Sequence, residues 1–156
     1  MAAINGSKTT LVLILLLALT AGCRLLDGGQ MREVPFEGDV PFTLQNGQSA
    51  VLAEGDLRIT FDSVIRDGRC PSQVNCAEQG AVEILVLTQQ AEEAPASHEL
   101  NPDPALAALG WAPTAVTAGG YAIELQAVEP YPEQPEDLET FDDYTATFVV
   151  TEAGGR

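Results

Sequence analysis

Basic residues are what this chain most lacks. Lys8 is its sole lysine, arginine supplies the remaining cations, and 7 basic residues stand against 23 acidic ones, for a net charge of −16. Such a surface repels phosphate backbones and anionic lipid head groups, so nucleic acid is not an expected partner. Imidazoles and thiols are scarce as well, with one histidine, His98, and 3 cysteines. A zinc site asks for about four ligands, and an activated nucleophile asks for a base that a third group orients, so neither chemistry is well supplied. No GxSxG, HExxH or phosphate-cradling glycine loop occurs, and no cofactor is expected. The longest apolar run, "LVLILLLALTA" at residues 11 to 21, falls short of the ~20 residues that a permanent membrane helix requires.

That run has a meaning of its own. Lys8 precedes it as a small positive region, and "TAGC" at residues 20 to 23 follows it with small residues ahead of a cysteine. The arrangement resembles the bacterial lipoprotein signal, with Thr20 where Leu, Val or Ile is usual. The resemblance implies a signal peptide at residues 1–22, lipid attachment at Cys23 and a tether at 23–33 containing Gly28 and Gly29. It places the chain in the cell envelope, lipid-anchored on the extracytoplasmic side of a bacterial membrane, where disulfides are permitted. Removing residues 1–22 takes away one lysine and no acid, which moves the net charge from −16 to −17.

From Val34 to about Ala153 the text consists of short apolar runs separated by Gly, Pro, Asn and Asp, which is how strands and turns read. Val40, Phe42 and Leu44 alternate with Pro41, Thr43 and Gln45 before a turn at Asn46-Gly47. Leu57, Ile59, Phe61 and Ile65 are expected on the dry face of a long strand, with Arg58, Thr60, Asp62 and Arg66 on the wet face. Residues 81–90, "AVEILVLTQQ", are apolar almost throughout and read as a central strand covered on both faces. Gly119-Gly120 mark a tight hairpin, and Tyr144, Ala146, Phe148 and Val150 keep the period of two in the last strand. One helical insert is expected near 104–109, with Asp103 as N-cap, Pro104 at the first position and Gly110 as the stop. Six to eight strands over residues 34–153 predict an all-β domain: a single antiparallel β-sandwich of immunoglobulin-like size, or alternatively a small β-barrel.

Cys70 and Cys76 lie in the loop between two of these strands. A metal clip lacks further ligands, a redox pair favours Cys-x-x-Cys, and a nucleophile has no base to spare, whereas a structural disulfide suits both compartment and loop. Closing so small a ring contributes about 2–3 kcal/mol in the chain-entropy picture. Asp67, Arg69, Cys70, Pro71, Cys76 and Gly80, together with Pro130-Tyr131-Pro132 after a later strand, resemble a group of short bacterial secreted or lipid-anchored β domains. These share an Asp-x-Arg-Cys-Pro-x4-Cys-x3-Gly signature. Many have an aromatic residue two positions after the second cysteine, where this chain has Glu78. The resemblance implies compartment, disulfide and fold, and no particular activity.

For function, the loop offers Arg66, Arg69, Gln73 and Asn75 as a candidate interaction surface. The expectation is a binding or envelope-support role without catalysis, with the membrane as one partner through the anchor and an unidentified protein or envelope ligand as the other. A second reading takes the acidic stretch 129–144 as a calcium or other metal site built from Glu136, Asp137, Glu139, Asp142 and Asp143. Its spacing matches no EF-hand, and a solvated charged loop is the simpler account. A small hydrolase using a pair of carboxylates is the third reading. His98 reads as an exposed histidine and Trp111 as a core or rim anchor.

Overall fold

A strand whose apolar residues recur at period two has one dry face, and two sheets made of such strands bury their dry faces against each other. The computed structural model describes residues 33–52, 57–139 and 143–154. Cys23, the signal segment and nearly all of the tether lie outside them.

Strands β1 (Val34–Phe36), β3 (Ser49–Leu52), β4 (Leu57–Asp67), β5 (Val82–Gln90) and β6 (Ala96–Leu100) form a five-stranded sheet in the order β1-β3-β4-β5-β6. Strands β2 (Phe42–Gln45), β7 (Ala115–Ala118), β8 (Tyr121–Glu129) and β9 (Thr145–Glu152) form a four-stranded sheet in the order β2-β9-β8-β7. Both sheets are open, so the domain is an all-β sandwich and not a closed barrel. All pairings are antiparallel except β1 with β3, which is parallel. Between the sheets Ile59, Phe61, Ile84 and Val86 meet Leu44, Ile123, Phe148 and Val150, all at 0% exposure. Burial of side chains of this kind contributes about 1.5–3 kcal/mol each.

The turns follow from their glycines. Gly119 and Gly120 have φ of 59° and 83° and close the β7–β8 hairpin. Gly47, with φ 77°, instead carries the chain from β2 in one sheet to β3 in the other, and Asn46 N–H and Gly47 N–H donate to Tyr144 O and Phe61 O across that step.

Strand β4 departs from strict alternation. Its pairing with β5 slips between Phe61 and Ser63 and again between Val64 and Arg66. Each bulge inserts a residue and reverses the facing of those that follow. Val64 therefore turns inward at 8% exposure, and Ile65, expected in the core, faces out at 42%. The second reversal restores the original phase, so Asp67 points inward with its side chain fully buried. Strand β8 slips once, between Leu125 and Ala127, which turns Val128 inward where simple alternation would face it outward.

Strand β5 is covered on both faces only at its start. Val82, Glu83 and Ile84 are buried, whereas Leu85 and Leu87 are half-exposed on the outer side, where no third layer covers them among the described residues. The cover over the start of β5 is the insert between β6 and β7. It contains helix α1 (Pro104–Ala108), in which Asp103 Oδ1 accepts from Ala105 N and Leu106 N, and Gly110 at φ 96° ends the turn. Asn101, wholly buried, ties the insert's two ends together by donating to Ala112 O and accepting from Asp103 N.

Candidate functional site

The chemistry of the molecule gathers at the end of β4. Asp67 is the last residue of that strand, and its Oδ1 accepts from the backbone N–H of Arg69 at 3.0 Å, turning the chain back on itself. The same carboxylate takes the Arg69 guanidinium side-on: Nε lies 2.9 Å from Oδ1, and Nη2 lies 2.5 Å from Oδ2. Tyr144, just before β9, donates its hydroxyl to Oδ2 at 2.8 Å. Arg69 reaches on to β8, where Nη1 donates to Val128 O at 2.7 Å and Nη2 to Pro130 O at 2.8 Å. One planar five-donor group thus joins three segments distant in sequence, which a lysine's point charge does not do.

The surroundings shift the protons. Burial acts to lower the pKa of Arg69, but the hydrogen bonds and charge of Asp67 outweigh it, and the net direction is upward. Burial, then the hydrogen bond and charge of Asp67, push the Tyr144 phenol up to about 12 against the opposing effect of Arg69. At neutral pH the cluster therefore holds a fixed guanidinium and a neutral phenol.

From this anchor the loop 68–80 departs. Cys70 and Cys76 form the disulfide, with Cα atoms 5.9 Å apart. The neck is closed by main chain alone: Gly68 N–H donates to Ala81 O, and Gly80 N–H donates to Gly68 O at 3.0 Å. A Cβ on Gly80 would stand 2.5 Å from Gly68 O, so only glycine fits that approach without displacing backbone. The segment Pro130-Tyr131-Pro132 docks along the loop. Tyr131 donates its hydroxyl to Cys70 O at 3.0 Å and lays its ring 4.9 Å from the Arg69 guanidinium carbon. Ser72 N–H and Gln73 N–H donate to Pro132 O and Glu133 O, both at 3.0 Å. The Asp67-to-Gly80 signature and the Pro-Tyr-Pro segment are therefore one physical unit.

Of the four residues expected to face outward, the structure reassigns one. Arg69 is 8% exposed and wholly engaged inside the fold, so it presents nothing to a partner; the inward phase of β4 at Asp67 draws it in. Gln73 and Asn75 are exposed in the loop, Gln73 bonding to Glu133 Oε2, and Val74 between them is 42% exposed. Arg66 lies on the other face of β4, where its Nε donates to Glu83 Oε2 at 2.6 Å and its guanidinium stacks 4.3 Å from the Trp111 ring centre. Glu83 is buried beneath this stack, and its Oε1 accepts from Ala112 N. Burial raises the pKa of Glu83, but the bonds from Arg66 and Ala112 and the charge of Arg66 prevail and hold it below the usual carboxylate range. Trp111 is thus a rim anchor. His98 is half-buried on edge strand β6, its Nε2 2.9 Å from Thr88 Oγ1, where an exposed ring was expected.

In the acidic stretch, Asp137 Oδ2 accepts from Glu133 N and Gln134 N, both at 2.8 Å, ahead of a 3-10 turn, Pro135–Glu139. These bonds lower its pKa, and they use the carboxylate as a turn cap. Asp142 and the side chain of Glu139 lie outside the described residues; Glu136 and Asp143 are exposed. Among the described residues no three His, Cys, Asp or Glu side chains converge as a metal site.

A cleft of about 320 Å³ opens beside the cluster. The buried Ala81, Val82 and Val128 line it together with Pro102, Pro104 and Leu106 of the insert and Tyr131. Sequence reasoning did not find it, because its walls come from three segments that only the sheet topology brings together. The chain matches no protein-family profile, no curated protein and no solved structure.

Proposed function

We propose that this chain is an extracytoplasmic lipoprotein, attached to a bacterial membrane through Cys23, whose β-sandwich acts by binding a partner in the envelope and not by catalysis. It belongs, on this reading, with the short secreted and lipid-anchored β domains that its cysteine-loop signature resembles. The observation that carries the reading is the construction of the loop. Its buried charges are consumed by one another, the disulfide and the Pro-Tyr-Pro segment fix its path, and Gln73, Val74 and Asn75 are left on a rigid outer surface. Rigid presentation of a small mixed surface lowers the ordering cost of association. It offers no activated nucleophile or general base.

The test is crosslinking and pull-down of the lipidated protein from its own envelope, comparing wild type with the triple variant Gln73→Ala, Val74→Ser, Asn75→Ala. A partner held by the wild type and lost by the variant is the expected result. Partners retained unchanged by the variant would remove the loop from the interface. Failure of Cys23→Ser to release the protein from membranes is expected not to occur; if that variant stays membrane-bound, the anchor is elsewhere.

A further inference from the structure

We infer that the cleft beside the disulfide loop is a socket for one basic side chain, lysine or arginine, carried on a peptide segment of the partner. The inference rests on the binding role proposed above and names the chemistry of what is bound.

Charge comes first. The described residues contain three arginines and no lysine, and each arginine is in an ion pair: Arg58 with Glu33, Arg66 with Glu83, Arg69 with Asp67. The cationic capacity of this surface is spent internally, and the excess acid faces solvent. Among the described residues an anionic partner finds no unpaired cation to meet it, whereas a cationic one is attracted from a distance.

The cleft has the shape of chemistry that a basic side chain brings. Lysine and arginine are long apolar stems with a charged tip, and they lie along apolar surface while the tip remains among polar groups. Here Ala81, Val82, Val128, Pro102, Pro104 and Leu106 give the cleft an aliphatic lining. Tyr131, 41% exposed, supplies an aromatic face, and an aromatic face attracts a cation through its ring quadrupole. Two carboxylates, Asp103 and Glu129, complete the lining. Asp103 spends Oδ1 on the helix cap and has no hydrogen bond at Oδ2, and Glu129 is exposed and makes no side-chain bond. Arg69 also lines the cleft, but Asp67 matches its charge in side-on contact, so the carboxylates set the sign. A volume near 320 Å³ is at the low end of the ~300–1,000 Å³ of small-ligand pockets, which suits a single inserted side chain.

The probes are N-acetyl-lysine-N-methylamide, its arginine counterpart, and N-acetyl-norleucine-N-methylamide as the uncharged stem. Each is titrated into the full chain in detergent micelles, with amide chemical shifts as the readout. The expected result is saturable millimolar binding of the lysine or arginine probe, with shifts at Gly80, Ala81, Leu106 and Val128. Binding should weaken about tenfold in the double variant Asp103→Asn, Glu129→Gln. Asn keeps the helix cap, so this variant folds. Norleucine binding as tightly as lysine overturns the inference. So do shifts confined to residues 133–143 that survive in the double variant, and so does the absence of cleft shifts at millimolar probe. Pull-down with the same double variant separates this inference from the broader reading. A partner lost supports the socket. A partner retained removes the socket and leaves the binding role standing. No partner with either protein removes the binding role, and the titration still judges the socket.

Discussion

The ion pair of Asp67 and Arg69 is buried on both sides, and a buried pair is weak evidence for net stability because desolvation offsets its attraction. Its importance shows in what happens when one member is lost. Asp67→Asn leaves a guanidinium buried without its counter-charge, and we expect unfolding in denaturant to become easier by about 3–5 kcal/mol. Replacing both Cys70 and Cys76 by serine should cost less, about 2–3 kcal/mol. The same melts decide the order; a disulfide variant weaker than Asp67→Asn would make the covalent bond, and not the cluster, the main anchor of the loop. Tyr144 adds a pH dependence. Its phenol titrates near 10 when unfolded and at about 12 in the fold, so the native state holds the proton that the unfolded state releases. The stability this brings is complete below pH 10 and is lost as pH rises from about 10 to about 12, on the order of 2–3 kcal/mol. Tyr144→Phe should flatten that alkaline loss while lowering stability at neutral pH by about 1–3 kcal/mol, the value of the hydroxyl's bond to Asp67. Tyrosinate absorbance against pH should show a late phase, near pH 12, in the wild type that the variant loses.

Strand β4 shows what a secondary element adds to its residues. Two bulges within one strand reverse its facing and then restore it, so Val64 and Ile65 exchange the environments that simple alternation assigns them. Val64→Ala is therefore expected to cost about 1–3 kcal/mol, and Ile65→Ser to stay within about 0.5 kcal/mol. Equal effects in thermal melts would contradict the register. The alternation of Leu57, Ile59 and Phe61, the Asp103 cap, and the glycine pair of the β7–β8 hairpin were all legible in the sequence, because each is a short-range preference of neighbouring residues. The bulges were not, since they depend on pairing with β5. The assignment of β2 and β3 to different sheets was hidden for a like reason: Asn46-Gly47 reads as a turn, and only its bonds to Tyr144 and Phe61 decide where it leads. Of the candidate site, the disulfide and the outward Gln73 and Asn75 were legible from loop length and composition. The inward Arg69 was not, because two of its four partners are carbonyls some 60 residues away.

At the scale of the whole molecule, charge is the dominant variable. With a net charge of −16, self-repulsion opposes the compact state, and the three arginine ion pairs are too few to balance it. Raising sodium chloride from about 0.01 M to about 0.5 M shortens the Debye length from about 30 Å to a few ångströms. The melting temperature should rise over that range; a fall would mean that the ion pairs outweigh the repulsion. The interface between the two sheets adds little to this charge balance, since it is chiefly Ile, Phe, Leu and Val from both sheets.

Arg69 also bears on how such a domain diverges over evolutionary time. Its contacts to Val128 and Pro130 are made to main-chain oxygens, so the side chains at those two positions are free to drift without disturbing it. Asp67 and Arg69 are not free in this way, since each is the other's counter-charge among the described residues. A disulfide, by contrast, can be given up in one step of modest cost. Remote descendants of this chain are then best sought by an Asp-x-Arg at the end of a long strand and a tyrosine ahead of the last one, with the two cysteines treated as optional.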